Sequence, residues 1–362
     1  MKILIVFNHP APYKVNFFDE LSKKIDLEVV FERRKCSNRD YRFYLKNDFK
    51  FKAHFLNNGA FGEENSNTGE LVRFLKQNYT SYDFIIMNGY STITEMRAIN
   101  FLNKKKVKWL LFVNGGIIHD DGFIKRFIKR RIVSSAYRYF SPSEETDKYL
   151  IHYGARKNDI LRYPNSTIFE KEVLDAPLTR EQKDEIRKEF NLPSGMLFVS
   201  PTQFIKRKNN IQLISIFKDR KEHLLLIGSG EEKHLYEQYI IKNNISNVHI
   251  VDFVNKKILF KIMRSCDCFI TLSKEDIYGH TTNESLSQGL PVISSNMVVS
   301  SLNLVKDGKN GYIVPCDDED KITHAMDNIK EDMGAYAISV AKENTIEKMT
   351  EIIYHELEEL KK

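Results

Sequence analysis

Between Ser273 and Ser294 the chain reads SKEDIYGHTTNESLSQGLPVIS, which sets two carboxylates, Asp276 and Glu284, with seven residues between them. An apolar run ends near Leu272, and a polar loop follows in which Gly279 permits backbone angles that side chains disfavour. Thr281 and Thr282 are expected to cap a helix running to about Gln288. Gly289 ends that helix and Pro291 opens the next strand. The first amides of such a helix, around His280, Thr281 and Thr282, carry the positive end of its dipole, so an anion such as a diphosphate is favoured there. Glu284, about one turn in, is placed to accept hydrogen bonds from two neighbouring hydroxyls, as on a ribose. Asp276, in the loop, is placed to meet a sugar.

These residues need a scaffold, and the rest of the chain supplies one. Strand-like runs alternate with helical periodicity: Ile3–Phe7, Leu27–Phe31, Phe84–Met87 and Trp109–Val113 as strands, with Val15–Lys24, Gly69–Asn78 and Ser91–Leu102 as helices between them. The alternation implies a parallel sheet with helices on both faces. It pauses between about Tyr163 and Asp184, a stretch with Pro164 and Pro177 that reads as a linker. It then restarts with strands at Leu197–Ser200, Leu224–Ile227, Val248–Val251, Cys268–Leu272 and Val292–Ser294. A chain of 362 residues suits two domains better than one core. The expected fold class is α/β, with two Rossmann-like doubly wound domains facing a central cleft at the carboxyl ends of their strands. Their expected bounds are 1–165 and 166–339, with a helix at about 340–362 packing back on the first.

The Asp276 to Ile293 string resembles the paired-acid signature of retaining glycosyltransferases of family 4 (group 1), which have the GT-B fold. Tyr278-Gly279 matches its aromatic-glycine pair, Gly289-Leu290-Pro291-Val292-Ile293 its closing segment, and Asp276 stands where the family has a glutamate. In the segment FVSPTQFIKRKN, Lys208 stands at the family's diphosphate-binding lysine and Gln203 at its arginine, with Arg207 adjacent. The resemblance implies transfer of a hexose-type sugar from a nucleoside diphosphate sugar with retention, without a metal or cofactor. Its carried-over catalytic set is Asp276, Lys208 and His119. The donor-binding set is Glu284, Gly279, His280, Thr281, Thr282, Gln203, Arg207 and the turn glycines Gly228 and Gly230, a pair that reads equally well as a tight turn. It further implies a first domain that binds the acceptor over the loop His9–Phe18, and a second that binds the donor.

The first half carries a second feature. FIKRFIKRRIV, Phe123–Val133, places Phe123, Ile124, Phe127, Ile128 and Ile132 on one helical face, with Lys125, Arg126, Lys129, Arg130 and Arg131 around the remainder. A basic amphipathic helix of this kind suits an anionic bilayer or an anionic headgroup, and a core-packed helix with a wet basic side is the other reading. With an expected lipid-linked saccharide acceptor, the protein is read as cytoplasmic and peripheral on the inner membrane surface, without a nucleic-acid partner. The net charge of +6 fits an anionic partner without naming one. Four cysteines do not make a disulfide framework, and Cys266 and Cys268, two apart, are expected on one face of a strand as buried thiols. No apolar stretch reaches the length of a spanning helix, and Met1–Phe7 reads as a strand rather than a leader. The activity expected is sugar transfer in capsule or surface polysaccharide assembly. The alternatives are a sugar-nucleotide epimerase on the same fold and a non-enzymatic basic binding protein. A nicotinamide dehydrogenase is disfavoured, because no G-x-G-x-x-G follows the first strand.

Overall fold

In a computed structural model of the protein, residues 1–35, 48–59 and 68–362 are described. Cys36 lies outside them. The chain divides into two compact units, one formed by Met1–Thr167 with Ile346–Lys362 and the other by Ile168–Thr345. The elements in chain order begin with β1 (Lys2–Phe7), α1 (Pro12–Leu21), β2 (Asp26–Phe31), β3 (Lys52–Phe55), α2 (Glu70–Asn78), β4 (Phe84–Met87), α3 (Ile93–Lys104), β5 (Trp109–Phe112), α4 (Phe123–Val133), β6 (Arg138–Ser141), α5 (Glu144–His152) and β7 (Ile160–Arg162). The second unit holds α6 (Arg180–Glu189), β8 (Leu197–Pro201), α7 (Asn210–Phe217), β9 (His223–Ile227), α8 (Lys233–Lys242), β10 (Val248–Val251), α9 (Lys256–Met263), β11 (Cys268–Thr271), α10 (Thr281–Ser287), β12 (Val292–Ser295), α11 (Val299–Leu304), β13 (Gly311–Val314), α12 (Glu319–Asp327) and α13 (Met333–Lys342). The last helix, α14 (Ile346–Lys361), belongs to the first unit.

The first unit is built on a parallel sheet in the order β3-β2-β1-β4-β5-β6-β7. Its central strands are almost wholly apolar and buried, as a sheet covered on both faces requires. The strand order reverses between β1 and β4, so the loops after those two strands flank a crevice at the carboxyl edge. Trp109 is completely buried, and its indole donates to Asn103 Oδ1 at 2.8 Å. Helix α14 lies on α1 with Ile353 and Leu357 turned inward. Lys24 pairs with Glu351 at 2.8 Å.

The second unit is a six-stranded parallel sheet, β10-β9-β8-β11-β12-β13. Two apolar clusters cover its faces. One contains Phe198, Leu224, Leu226, Cys268 and Ile270, and the other Val199, Leu225, Cys266 and Phe269. Cys266 therefore does not share a strand face with Cys268. It sits in the turn after α9, its amide bonded to Met263 O, and only Cys268 is in β11. Burial pushes the Cys266 thiol up to about 12, so it stays protonated. The stretch read as a linker contains the start of α6, where Thr179 and Gln182 form a reciprocal cap. Asp267 anchors that helix by accepting from Lys183 at 2.9 Å, Arg187 at 2.7 Å and the Leu197 amide at 2.9 Å.

Asp318 caps α12 through the Lys321 amide at 3.0 Å, so the acidic run Asp317 to Asp320 is a helix start. Among the described residues no helix is long and apolar enough to cross a membrane. Leu357→Ala is expected to cost about 2–5 kcal/mol by opening a cavity under α14. A lowered urea midpoint checks this, and an unchanged midpoint would show that the helix contributes little to the first unit.

Candidate functional site

The loop from β11 to α10 is not free-standing. Asp276 forms an isolated bridge with Val298, its amide bonded to Met297 O at 2.9 Å. The Ser300 amide donates to Tyr278 O at 2.7 Å, and the Ser300 hydroxyl donates to Gly279 O at 2.7 Å. Gly279 has φ 85°, and a Cβ there would lie 2.5 Å from Val298 Cγ1. The glycine is thus required both for its backbone angle and for the close approach of the 297–300 segment. The 297–300 segment carries no motif that marks it as part of the site. Its signal was the small, bondable pair Ser300-Ser301.

Helix α10 differs from expectation at its start. Its N-cap is His280 in a helical conformation with no side-chain cap. Thr281 and Thr282 lie inside the first turn. Thr282 is buried and its hydroxyl bonds Ser301 Oγ at 2.8 Å, so it ties α10 to α11 instead of capping. Glu284, also in the first turn, is half-buried. The His280 ring lies 5.0 Å from that of Tyr278.

The loop after β8 meets this one through a charge pair. Lys208 Nζ donates to Asp276 Oδ2, with the two side chains only 11% and 18% exposed. Lys208 ends a short 3-10 turn, Lys206–Lys208, followed by Asn209 in the left-handed region at φ 58°. Arg207 is exposed and donates to Glu275 O at 2.9 Å, while the Lys274 amide donates to Arg207 O at 2.8 Å. The guanidinium therefore clips the two loops together. Gln203 is half-buried in the same loop.

Gly228 and Gly230 act from beneath. A Cβ on Gly228 would lie 1.9 Å from Thr202 O, and one on Gly230 2.3 Å from Phe204 O. The Phe204 amide donates to Ser229 O at 2.8 Å. The two glycines let the β9 loop pass under the loop that carries Gln203, Arg207 and Lys208.

In the first unit, His119 is exposed in the segment between β5 and α4. The residue of consequence nearby is Asp121, which the sequence reading passed over. Its carboxylate accepts from Lys125 at 2.9 Å, from Lys129 at 2.6 Å and from the Tyr153 hydroxyl. These three donors hold its carboxyl well below the usual carboxylate range. Lys129 lies over the Tyr153 ring at 4.7 Å. Tyr149 stacks edge-on against Tyr153 and bonds Tyr90 Oη at 2.5 Å. Lys129, set against Tyr153, thus ties α4 to the unit, Lys125 closes a local pair at its start, and Arg126 and Arg130 are exposed beside Phe123 and Ile124, themselves 85% and 73% exposed. Of the apolar face of α4, Phe123, Ile124, Phe127 and Ile128 are exposed, while Ile132, with Val133, is buried in the core.

The carboxyl edge of the same sheet buries ionisable groups. Lys14 is 1% exposed, donates to Asn165 Oδ1 at 3.1 Å and lies 4.9 Å from the Phe112 ring centre. Burial pushes its ammonium down to about 7. Asn165 donates to Asn114 O at 3.0 Å, and Asn114 to Asn88 Oδ1 at 3.3 Å. Glu32 and Glu95 are both fully buried. Glu32 accepts from Thr92 Oγ1 at 2.6 Å, and Glu95 accepts from the Thr92 amide at 3.1 Å. Burial raises both carboxyls, and the charge of Glu95 raises Glu32 further.

Comparison with known proteins agrees with this architecture. Across the whole chain the fold is that of the GT-B glycosyltransferases. The crystal structure of Anabaena Alr3699/HepE in complex with UDP matches with a TM-score of 0.78 at 15% identity, covering 99% of this chain and 100% of that one. The apo form of the lipopolysaccharide outer core galactosyltransferase WaaB matches at 0.70 with 16% identity, covering 100% of both chains. Residues 182–346, nearly all of them in the second unit, match the family model for Glycosyl transferases group 1. The O-antigen biosynthesis glycosyltransferase WclY of Escherichia coli is 25% identical over 236 residues, 62% of this chain. The match spans 64% of the length of that relative.

The buried acid pair gives a prediction that needs no ligand. The folded state keeps Glu32 protonated at a pH where the unfolded chain, with a carboxyl value of 4.5, has released the proton. Stability is therefore full below that value and falls as pH rises through the elevated folded value. Glu32→Gln should flatten this fall, read as melting temperatures between about pH 5 and pH 8. Parallel wild-type and variant curves would show that the pair holds no proton.

Proposed function

We propose that this chain is a retaining glycosyltransferase that moves a sugar from a nucleoside diphosphate sugar, a UDP-sugar, to a lipid-linked saccharide during assembly of a bacterial capsule or other surface polysaccharide. The observation that carries the reading is the meeting of Lys208 and Asp276 from two loops at the carboxyl edge of one parallel sheet. Fold alone would not license an activity. An ammonium held beside an acid by glycine-shaped backbone is a prepared place for a diphosphate next to a sugar. The UDP bound to Alr3699/HepE, which shares the fold, supports the choice of donor.

In this reading Lys208 exchanges Asp276 for the donor diphosphate and stabilises the charge that grows on it as the glycosidic bond breaks. Asp276 then accepts from sugar hydroxyls, and Glu284, in the first turn of α10, accepts from the ribose. Gly279, His280 and Thr281 line the diphosphate, and the clip made by Arg207 keeps the Lys208 loop in register. The C1–phosphate oxygen bond breaks while C1 bonds to the acceptor oxygen on the same face. The departing phosphate oxygen takes the acceptor's proton, so neither acid forms a covalent bond. His119 belongs to the donor-sugar side on this account. The first unit receives the acceptor, and α4 rests on the anionic cytoplasmic face of the membrane through Phe123, Ile124 and Phe127, with Arg126 and Arg130 on headgroups.

UDP is expected to raise the melting temperature of the wild type, because it binds only the native state. Glu284→Ala and Lys208→Gln should stay folded and need at least about tenfold more UDP for the same shift, roughly 1.4 kcal/mol of binding. Near-normal sugar transfer by Glu284→Ala would remove that residue from the site. Phe123→Ser with Phe127→Ser should lower sedimentation with vesicles containing anionic lipid, and unchanged sedimentation would remove the membrane role of α4.

A further inference from the structure

The edge of the first sheet opposite the proposed acceptor loops carries a second charged surface. All seven strands are parallel, so the turns entering β5, β6 and β7 lie side by side at the amino edge. The turn into β5 brings Lys104, Lys105, Lys106 and Lys108. The turn into β6 brings Arg138, and the turn into β7 brings Arg156 and Lys157. Asp159 is the single acid within residues 103–108, 134–138 and 154–159. It is buried, and its two oxygens are taken by Arg138 and Arg156. Arg138, Arg156, Lys157, Asn158 and Asp159 line an open depression of about 510 Å³ there.

The three turns are fastened to one another. Asn103 accepts from the Trp109 indole and donates to Ser135 Oγ at 2.9 Å, which joins the first turn to the second. The Tyr137 amide donates to Trp109 O at 2.9 Å. The third turn adjoins α4, since a Cβ on Gly154 would lie 3.5 Å from Arg130 Cγ. The cations therefore sit on rigid backbone, continuous with the helix that exposes Phe123 and Phe127.

We infer that this amino edge is a second headgroup-binding surface, which holds the anionic phosphates of a lipid bilayer alongside α4. The inference rests on the membrane reading of α4 and adds a contact that the helix does not contain. Its complementarity is to many phosphates at once, since Lys104, Lys105, Lys106, Lys108, Arg156 and Lys157 are exposed there, while the one acid is buried and paired with Arg138 and Arg156. Single-stranded nucleic acid is a poorer fit. The aromatic ring in the patch, Tyr137, already has Lys108 and Arg138 against it, each 4.8 Å from its centre, and a base would have to compete with them to stack.

The test uses the full chain and vesicles of phosphatidylcholine with or without about 30% phosphatidylglycerol, a composition in which each basic residue adds about fivefold to binding. The triple variant Lys104→Glu, Lys105→Glu, Lys157→Glu changes exposed residues at the end of α3 and in the turns into β5 and β7, and its circular dichroism should match the wild type. It is expected to bind the anionic vesicles at least tenfold more weakly than wild type, and with a shallower dependence on salt. Binding by the triple variant equal to the wild type would overturn the amino-edge surface while leaving α4 as the membrane contact. A wild type that ignores anionic vesicles would overturn the membrane reading itself and this surface with it. If the triple variant instead loses binding to a single-stranded oligonucleotide and keeps its vesicle binding, the partner is nucleic acid and the inference is wrong.

Discussion

The contact between Lys208 and Asp276 is the constraint on which the candidate site of the second unit depends. Two chain segments far apart in sequence must bring opposite charges together in a place where water has little access. Such a pair gains little net stability when formed, but leaves a costly unpaired charge if either partner is removed. The backbone around it is correspondingly specific. Gly228 and Gly230 permit the β9 loop to pass beneath the lysine's loop, and Gly279 permits the aspartate's loop to lie on Val298. A ligand that offers the lysine a diphosphate and the aspartate a hydroxyl would replace the pair without stranding either charge. The proposed donor offers both.

The first unit has an equivalent knot in Asp121. Lys125, Lys129 and Tyr153 converge on one carboxylate, and Tyr149 carries the contact on to Tyr90 in the loop after β4. Helix α4 is held by Lys129 and, at its carboxyl end, by the buried Ile132 and Val133, and leaves its phenylalanines outside. Over its first two turns that arrangement is the reverse of an ordinary surface helix, in which the apolar stripe faces the core. An exposed contiguous apolar face flanked by arginines calls for a partner, and a bilayer satisfies both kinds of side chain at once.

Much of the fold was legible because buried parallel strands are written as unbroken apolar runs. KILIVF, FIIM and HLLLI could hardly be anything else. The strands that escaped were β3, β6, β7 and β13, with sequences KAHF, RYFS, ILR and GYIV. Three of them are edge strands or short, and β6 carries an arginine that binds Asp159, so none reads as an apolar run. In the candidate site, the spacing of Asp276 and Glu284 and the basic loop at Lys208 were readable as motifs. The contact between Lys208 and Asp276 was not, because it depends on two loops meeting in space. The threonines of α10 were misjudged for a related reason: capping propensity is local, whereas Thr282 is committed to Ser301 on a different helix. Lys129 reads from the sequence as part of the basic side that meets a membrane, because its acceptor, Asp121, lies outside the helix repeat, in the segment before α4.

The most direct test is a crystal structure of the chain soaked with UDP. The account predicts a diphosphate against Lys208 and the backbone at Gly279 to Thr281, the ribose hydroxyls on Glu284, and the Lys208 to Asp276 contact opened. UDP bound elsewhere, or bound with that contact intact and Glu284 untouched, would contradict it.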